Sequence, residues 1–192
     1  MQTVSGKLKN HTTMRLTLLI GLLSTTIFGF DQTNNSKSDM TEKYSGIYSF
    51  GENLEKGPVG SVTVFAETDT TILFFIDICR GAPSYNLGQL YGRLKIENGK
   101  GIYFSNDFDE KGCKLLVIIE DKTLTIETID DYYDCGFGWN VFADNEYICK
   151  VLTKPEYFTD IHGNKVFFSK TSPENYLKLT PACNTCFALV DS

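Results

Sequence analysis

Histidine is nearly missing from this chain, which contains His11 and His162 and no other. Chemistry built on imidazole therefore has little to draw on. A Ser-His-Asp triad in the exported part would have to use His162, which falls in a predicted turn, and no GxSxG nucleophile elbow occurs. A structural zinc site on Cys183-Asn184-Thr185-Cys186 would need two further ligands, with His162 the one imidazole to supply them. Redox use of the same CxxC would need a thioredoxin-like βαβ setting, and no such pattern is present. The GxxxxGK[ST] phosphate loop and the GxGxxG fingerprint are also absent. Basic residues are outnumbered, 18 Lys+Arg against 24 Asp+Glu, with a formal charge of −6 and no concentrated basic stretch. A phosphate backbone would be repelled, so nucleic acid is excluded as a partner. No long helical periodicity interrupts the middle of the chain, which argues against parallel βαβ architecture. The residues imply no cofactor and no metal.

What is present begins with a leader. Lys7, Lys9 and Arg15 precede Leu16 to Phe30, an apolar run without a charged residue. A spanning helix needs roughly 20 apolar residues, so this run reads as a signal peptide over residues 1–30. Cleavage is expected near Gly29 or Phe30, and Met14 would make a tighter start than Met1; an uncleaved N-terminal anchor is the alternative. No cysteine stands directly after the run, so a lipobox-type anchor is not expected. Its removal takes away three basic residues and no acidic one, and the charge moves from −6 to −9. The expected location is periplasmic or extracellular, with no membrane span after cleavage. The six cysteines, Cys79, Cys113, Cys135, Cys149, Cys183 and Cys186, all follow the leader. An even count in an exported chain reads as up to three disulfides.

Residues 31–43 are polar apart from Met40 and predict a flexible linker. From Tyr44 to Val151 one theme repeats: a short β-branched or aromatic run, then Gly, Asn or Asp. The runs are Tyr44–Phe50, Gly60–Glu67, Thr71–Cys79, Leu87–Ile96, Gly101–Asp107, Cys113–Glu120, Thr123–Ile129 and Asn140–Val151. Ile72, Phe74, Ile76 and Ile78 share one face, as do Leu124 and Ile126. Cys113–Glu120 is apolar on both sides and should be central or covered. Asn98-Gly99 marks a tight hairpin turn. Such alternation with short connections predicts a mostly β, antiparallel domain over 44–151, either an up-and-down barrel (lipocalin-like) or a β-sandwich. The barrel is favoured because closure removes exposed edges and no proline obviously protects one. Residues 152–192 form an appendage: a hairpin over Phe158–Phe168 turning at His162-Gly163-Asn164, then a short helix with Ser172 as N-cap and Pro173 at its first position.

Four loop residues stand out as binding candidates. Cys135-Gly136-Phe137-Gly138-Trp139-Asn140 offers Phe137 and Trp139 as exposed aromatic anchors, or else forms a Gly-rich corner with both rings turned inward. Arg80-Gly81-Ala82-Pro83-Ser84-Tyr85-Asn86 offers Arg80 and Tyr85 on a stiffened loop, or else is a plain connector. In an antiparallel meander Cys113 starts level with the end of the following strand, which predicts a Cys113–Cys135 disulfide. Asp107, Asp109 and Glu110, and Asp130, Asp131 and Asp134, read as solvated loop acids. The first set departs from an EF-hand, since Lys111 takes a ligand position and Ile118 stands where the bidentate Glu belongs.

The blocks RGAPSYN…LYGR (Arg80–Arg93), CGFGWNVFADNEY (Cys135–Tyr147) and PEYF…HGNKVFF (Pro155–Phe168) resemble a group of small secreted bacterial β proteins. The resemblance implies an exported bacterial protein and brings no catalytic motif and no functional residue. In general outline the pattern also resembles periplasmic lysozyme-inhibitor and lipocalin-like barrels, a likeness of fold alone.

Together these features predict a non-enzymatic, monomeric binding or inhibitor module whose partner is a protein of the envelope, a basic one being among the candidates. The alternatives are a lipocalin-like binder of a small apolar ligand, with an interior lined by Phe74, Ile76 and Leu94, and a carboxylate-dependent glycan hydrolase using the loop acids.

Overall fold

The computed structural model describes residues 42–108 and 110–179. The expected leader, nearly all of the linker and the Cys183/Cys186 pair lie outside those residues. Eight strands form one sheet: β1 (Gly46–Phe50), β2 (Val59–Ala66), β3 (Thr71–Cys79), β4 (Leu87–Lys95), β5 (Lys100–Ser105), β6 (Cys113–Glu120), β7 (Thr123–Tyr133) and β8 (Asn145–Val151). They pair antiparallel in the order β4-β3-β2-β1-β8-β7-β6-β5. Sequence neighbours are thus spatial neighbours, and the β1–β8 ladder brings first and last strands together. The result is a nearly closed, barrel-like meander. Only β4 and β5 lack a shared ladder. They meet at a tight turn where Asn98 and Gly99 take φ of 49° and 80°, beside an isolated Glu97–Lys100 bridge. Positive φ at both central residues matches the right-handed twist of the strands, which is why Asn-Gly stands there.

Period-2 alternation fills the interior. Tyr48, Val64, Phe74, Leu94, Leu115 and Tyr147 all point inward and are at most 3% exposed. Two of the buried phenols are satisfied locally: Tyr48 Oη donates to the Tyr44 carbonyl at 3.0 Å, and Tyr147 Oη to the Ala143 carbonyl at 2.8 Å. A buried hydroxyl without such a partner would cost about 1–3 kcal/mol.

The outer face of β2–β4 carries a second core. Leu73, Phe75 and Tyr91 are buried there against Phe158 and Phe168 of a small hairpin, β9 (Tyr157–Thr159) and β10 (Lys165–Phe167). Phe75 stacks on Phe158 with centroids 3.8 Å apart. Helix α1 (Pro173–Leu179) follows, with Ser172 Oγ accepting from the Asn175 N–H at 3.3 Å as the N-cap pattern requires. Arg93 fastens α1 to the sheet, its fork engaging Glu67 at 2.8 and 2.9 Å and Glu174 at 2.7 Å.

Most strand ends fall within two residues of expectation, and two boundaries differ by more. The strand expected from Asn140 begins at Asn145, because Asn140 takes φ 59° and the following residues cross the end of the sheet, burying Val141 and Ala143. The strand expected to stop at Ile129 continues to Tyr133 through a bulge in which Asp130 and Asp131 take φ of 58° and 59°. The outer side of β6 is covered only in part, since Leu116 and Ile118 are half-buried. Cys113 and Cys135 are joined as the meander implies. Among the described residues Cys79 and Cys149 form no disulfide, and they are no pair for each other, since Cys79 closes β3 at one end of the sheet while the Cys149 N–H bonds the Lys122 carbonyl at the other.

Candidate functional site

An up-and-down order places alternate connections at the same end. Here the β1–β2, β3–β4, β5–β6 and β7–β8 connections, of eight, seven, seven and eleven residues, share one end. The other end has turns of four, four and two residues. Long connections on a rigid scaffold are where recognition residues tend to lie.

The two loops singled out in the sequence meet at this end. The Gly138 N–H donates to the Leu87 carbonyl at 2.9 Å, and Asn86 Nδ2 to the Trp139 carbonyl at 2.8 Å. The Arg80 guanidinium lies over the Trp139 ring, 5.2 Å from its centroid. With the Asn140 amide oriented to satisfy both groups, its oxygen accepts from Arg80 Nε and Nη2 at 3.2 and 2.8 Å. Arg80 is half-buried, whereas Trp139 is 79% exposed. The two aromatics of the CGFGWN loop therefore part company. Phe137 packs against the interior core and over Gly88, where an added Cβ would come 2.7 Å from its ring. Trp139 faces solvent. The disulfide holds the start of this loop to β6, and the Phe108 ring lies against Gly136.

Tyr85 is 43% exposed and donates its hydroxyl to Glu55 Oε1 at 2.6 Å; that hydrogen bond raises the phenol above its ordinary value. Glu55 belongs to the β1–β2 connection, which is also held by the Ala82 N–H bond to the Leu54 carbonyl at 2.9 Å. Gly81 is required here: it takes φ 79°, and a Cβ would stand 2.4 Å from the carbonyl oxygens of Leu54 and Gly57. All four predicted binding residues thus belong to one end, and three of them, Arg80, Tyr85 and Trp139, line its rim.

No family model, curated protein or solved structure matches the chain. The functional reading therefore rests on the geometry itself.

Beside the rim, under the β1–β2 connection, lies an open groove of about 590 Å³. Its walls include Leu54, Val59 and Leu87, and it carries Glu52, Glu55 and Asp77. The 51–58 stretch that supplies Glu52, Leu54 and Glu55 has no aromatic, cysteine or adjacent acids to mark it in the sequence. A second depression, of about 400 Å³, gathers Glu110, Asp130 and Asp131 beside Phe104 and Tyr132. Acids from the two clusters thus share a surface, although Lys114 pairs with Asp130 and Asp107 accepts from Ser105 Oγ at 2.6 Å. His162 sits exposed at the tip of the outer hairpin, its N–H bonded to Asp160 Oδ1 at 2.9 Å. That carboxyl is also held by the Asn164 N–H and amide. Desolvation opposes ionisation there, and the three hydrogen bonds together outweigh it, leaving the pKa below its ordinary 3.8. Among the described residues no group of three or more His, Cys, Asp or Glu side chains could hold a metal, and no helix is long and apolar enough to cross a membrane.

Proposed function

We propose that this chain is an exported, non-enzymatic binding or inhibitor module that engages a basic protein in the periplasm or outside the cell. The observation that carries the reading is the meeting of Arg80, Tyr85 and Trp139 on one rim built by long connections, with an exposed tryptophan at its crest. Exposed Trp, Tyr and Arg are the residue types that dominate binding energy at protein interfaces. The acidic charge of the chain and the carboxylates beside the rim favour a cationic partner and fast encounter with it. The leader-like N-terminus and the Cys113–Cys135 disulfide support an oxidising location.

The test is a pull-down from the exported protein fraction with lysozyme added as a basic reference protein. Retention of a basic protein by the native chain, falling about tenfold with Trp139→Ala, supports the reading. A blank across low and high salt, or retention indifferent to both Trp139→Ala and Tyr85→Ala, overturns it.

The loop acids favour a second reading. Glu110, Asp130 and Asp131 share one depression with two aromatic rings, and a carboxylate-dependent glycan hydrolase requires that two such acids flank the scissile bond. Release of reducing sugar from cell-wall glycan, lost in Asp131→Asn, would support it; its absence would remove it. An apolar ligand held inside the barrel would have to displace Phe74, Ile76 and Leu94, all of which belong to the buried core.

A further inference from the structure

We propose that the groove under the β1–β2 connection receives an arginine side chain, presented on an extended segment of the partner. This names the chemistry of the proposed interface and rests on that reading. Ser49, Ser61, Asp77 and Gln89 stand in line across β1, β2, β3 and β4, pairing Ser49 with Ser61, Ser61 with Asp77 and Asp77 with Gln89. They form a polar row on the outer face, one step from the row made by Val59, Cys79 and Leu87. The hairpin and α1 cover the sheet farther along, over Leu73, Phe75 and Tyr91, and leave this end of the face to the groove.

Asp77 is held in place. Its Oδ1 accepts from Gln89 Nε2 at 2.9 Å, and Gln89 Oε1 in turn accepts from the Ile161 N–H at 2.9 Å. Its other oxygen has no partner among the described residues. Glu52 and Glu55 stand in the wall of the same groove. The ion pairs of Arg93, Lys100, Lys114 and Lys154 take Glu67, Glu174, Glu120, Asp130 and Glu42, and none of them reaches these three carboxylates. Among the described residues no Lys or Arg lines the groove.

A ligand that fits must therefore bring positive charge to a polar floor and an apolar stem to Leu54, Val59 and Leu87. Arginine does both: its methylenes lie along apolar surface while the guanidinium stays polar. Its planar fork can bond two carboxylate-bearing walls at once, which a lysine ammonium does less specifically. A volume of about 590 Å³ exceeds one side chain and leaves room for flanking backbone.

The experiment uses the folded chain, isotopically labelled, with acetyl-Gly-Arg-Gly-amide as probe and its citrulline counterpart as the neutral isostere. The arginine probe is expected to shift the amide signals of Ser61, Asp77 and Leu87, to bind roughly tenfold more tightly than the citrulline probe, and to weaken with salt. Asp77→Asn keeps the acceptor for Gln89 and is expected to lose about tenfold in affinity, while Asp121→Asn, at the far end of the sheet, changes nothing. Equal binding of both probes, or shifts confined to Arg80 and Trp139, overturns the proposal. Either of those results leaves the binding-module reading standing if the pull-down still retains a basic protein, whereas a blank pull-down removes that reading instead.

Discussion

Gly88 shows how much of this molecule turns on a single missing carbon. An added Cβ would stand 2.7 Å from the Phe137 ring and 2.9 Å from Val141 Cγ1, both in the β7–β8 connection. Overpacking of this kind typically costs about 1–3 kcal/mol. Gly88→Ala is expected to lower stability by about 2 kcal/mol in denaturant unfolding, with new exposure of Phe137. The buried phenols make a second residue-level prediction. Burial pushes Tyr48 and Tyr103 up to about 12 from an ordinary 10, with Cys149 adding to the rise at Tyr48 and the Ser105 hydrogen bond opposing it at Tyr103. A folded-state value above the unfolded one means that the contribution is complete below pH 10 and is lost as pH climbs toward about 12. Thermal unfolding should therefore show a falling midpoint across that window, in step with phenolate absorbance. A flat midpoint would show that these hydroxyls are solvated.

At the scale of elements, the Cys113–Cys135 bond closes a separation of 22 residues that includes all of β7. Loop-closure entropy for that length is about 3 kcal/mol, so Cys113→Ser/Cys135→Ser is expected to lose about that much. The outer hairpin depends on Phe158, 4% exposed and in contact with Phe75, Tyr91, Phe168 and Tyr176. Phe158→Ala should cost about 3 kcal/mol, and amides of β9 and β10 should exchange before those of the inner sheet. A uniform rise in exchange would contradict two separately packed cores. Elements were the most legible level of this chain. The alternation of Ile72, Phe74, Ile76 and Ile78 marks one inner face, and Asn98-Gly99 and Ser172-Pro173 mark a turn and a helix start, because each is set by neighbours within a few residues. The Asn140 boundary was not legible. Val141 and Ala143 continue an apolar rhythm, yet they are buried by crossing the sheet end rather than by pairing in it. A bulge such as that at Asp130-Asp131 likewise leaves little trace in local pattern, since its cause lies in where Cys113 must meet Tyr133 across the ladder.

For the sheet as a whole, the decisive fact is that its order gathers four long connections at one end. The residue types at the rim could be read from the sequence, because Arg80, Tyr85 and Trp139 sit in Gly-rich or Pro-stiffened loops. Their meeting could not, since it follows from strand order and from bonds between Asn86 and Trp139, 53 residues apart. The groove was hidden for the same reason: Ser61, Asp77 and Leu87 come together only once β2, β3 and β4 are in register. The central claim is that recognition belongs to the long-loop end. Its most direct test is photo-crosslinking in the native host's exported fraction, with a photoreactive residue at position 139 in one variant and at position 121, beside the short β6–β7 turn, in another. A discrete crosslinked partner from position 139 and none from position 121 is expected; crosslinking from position 121 alone, or equally from both, would contradict the account.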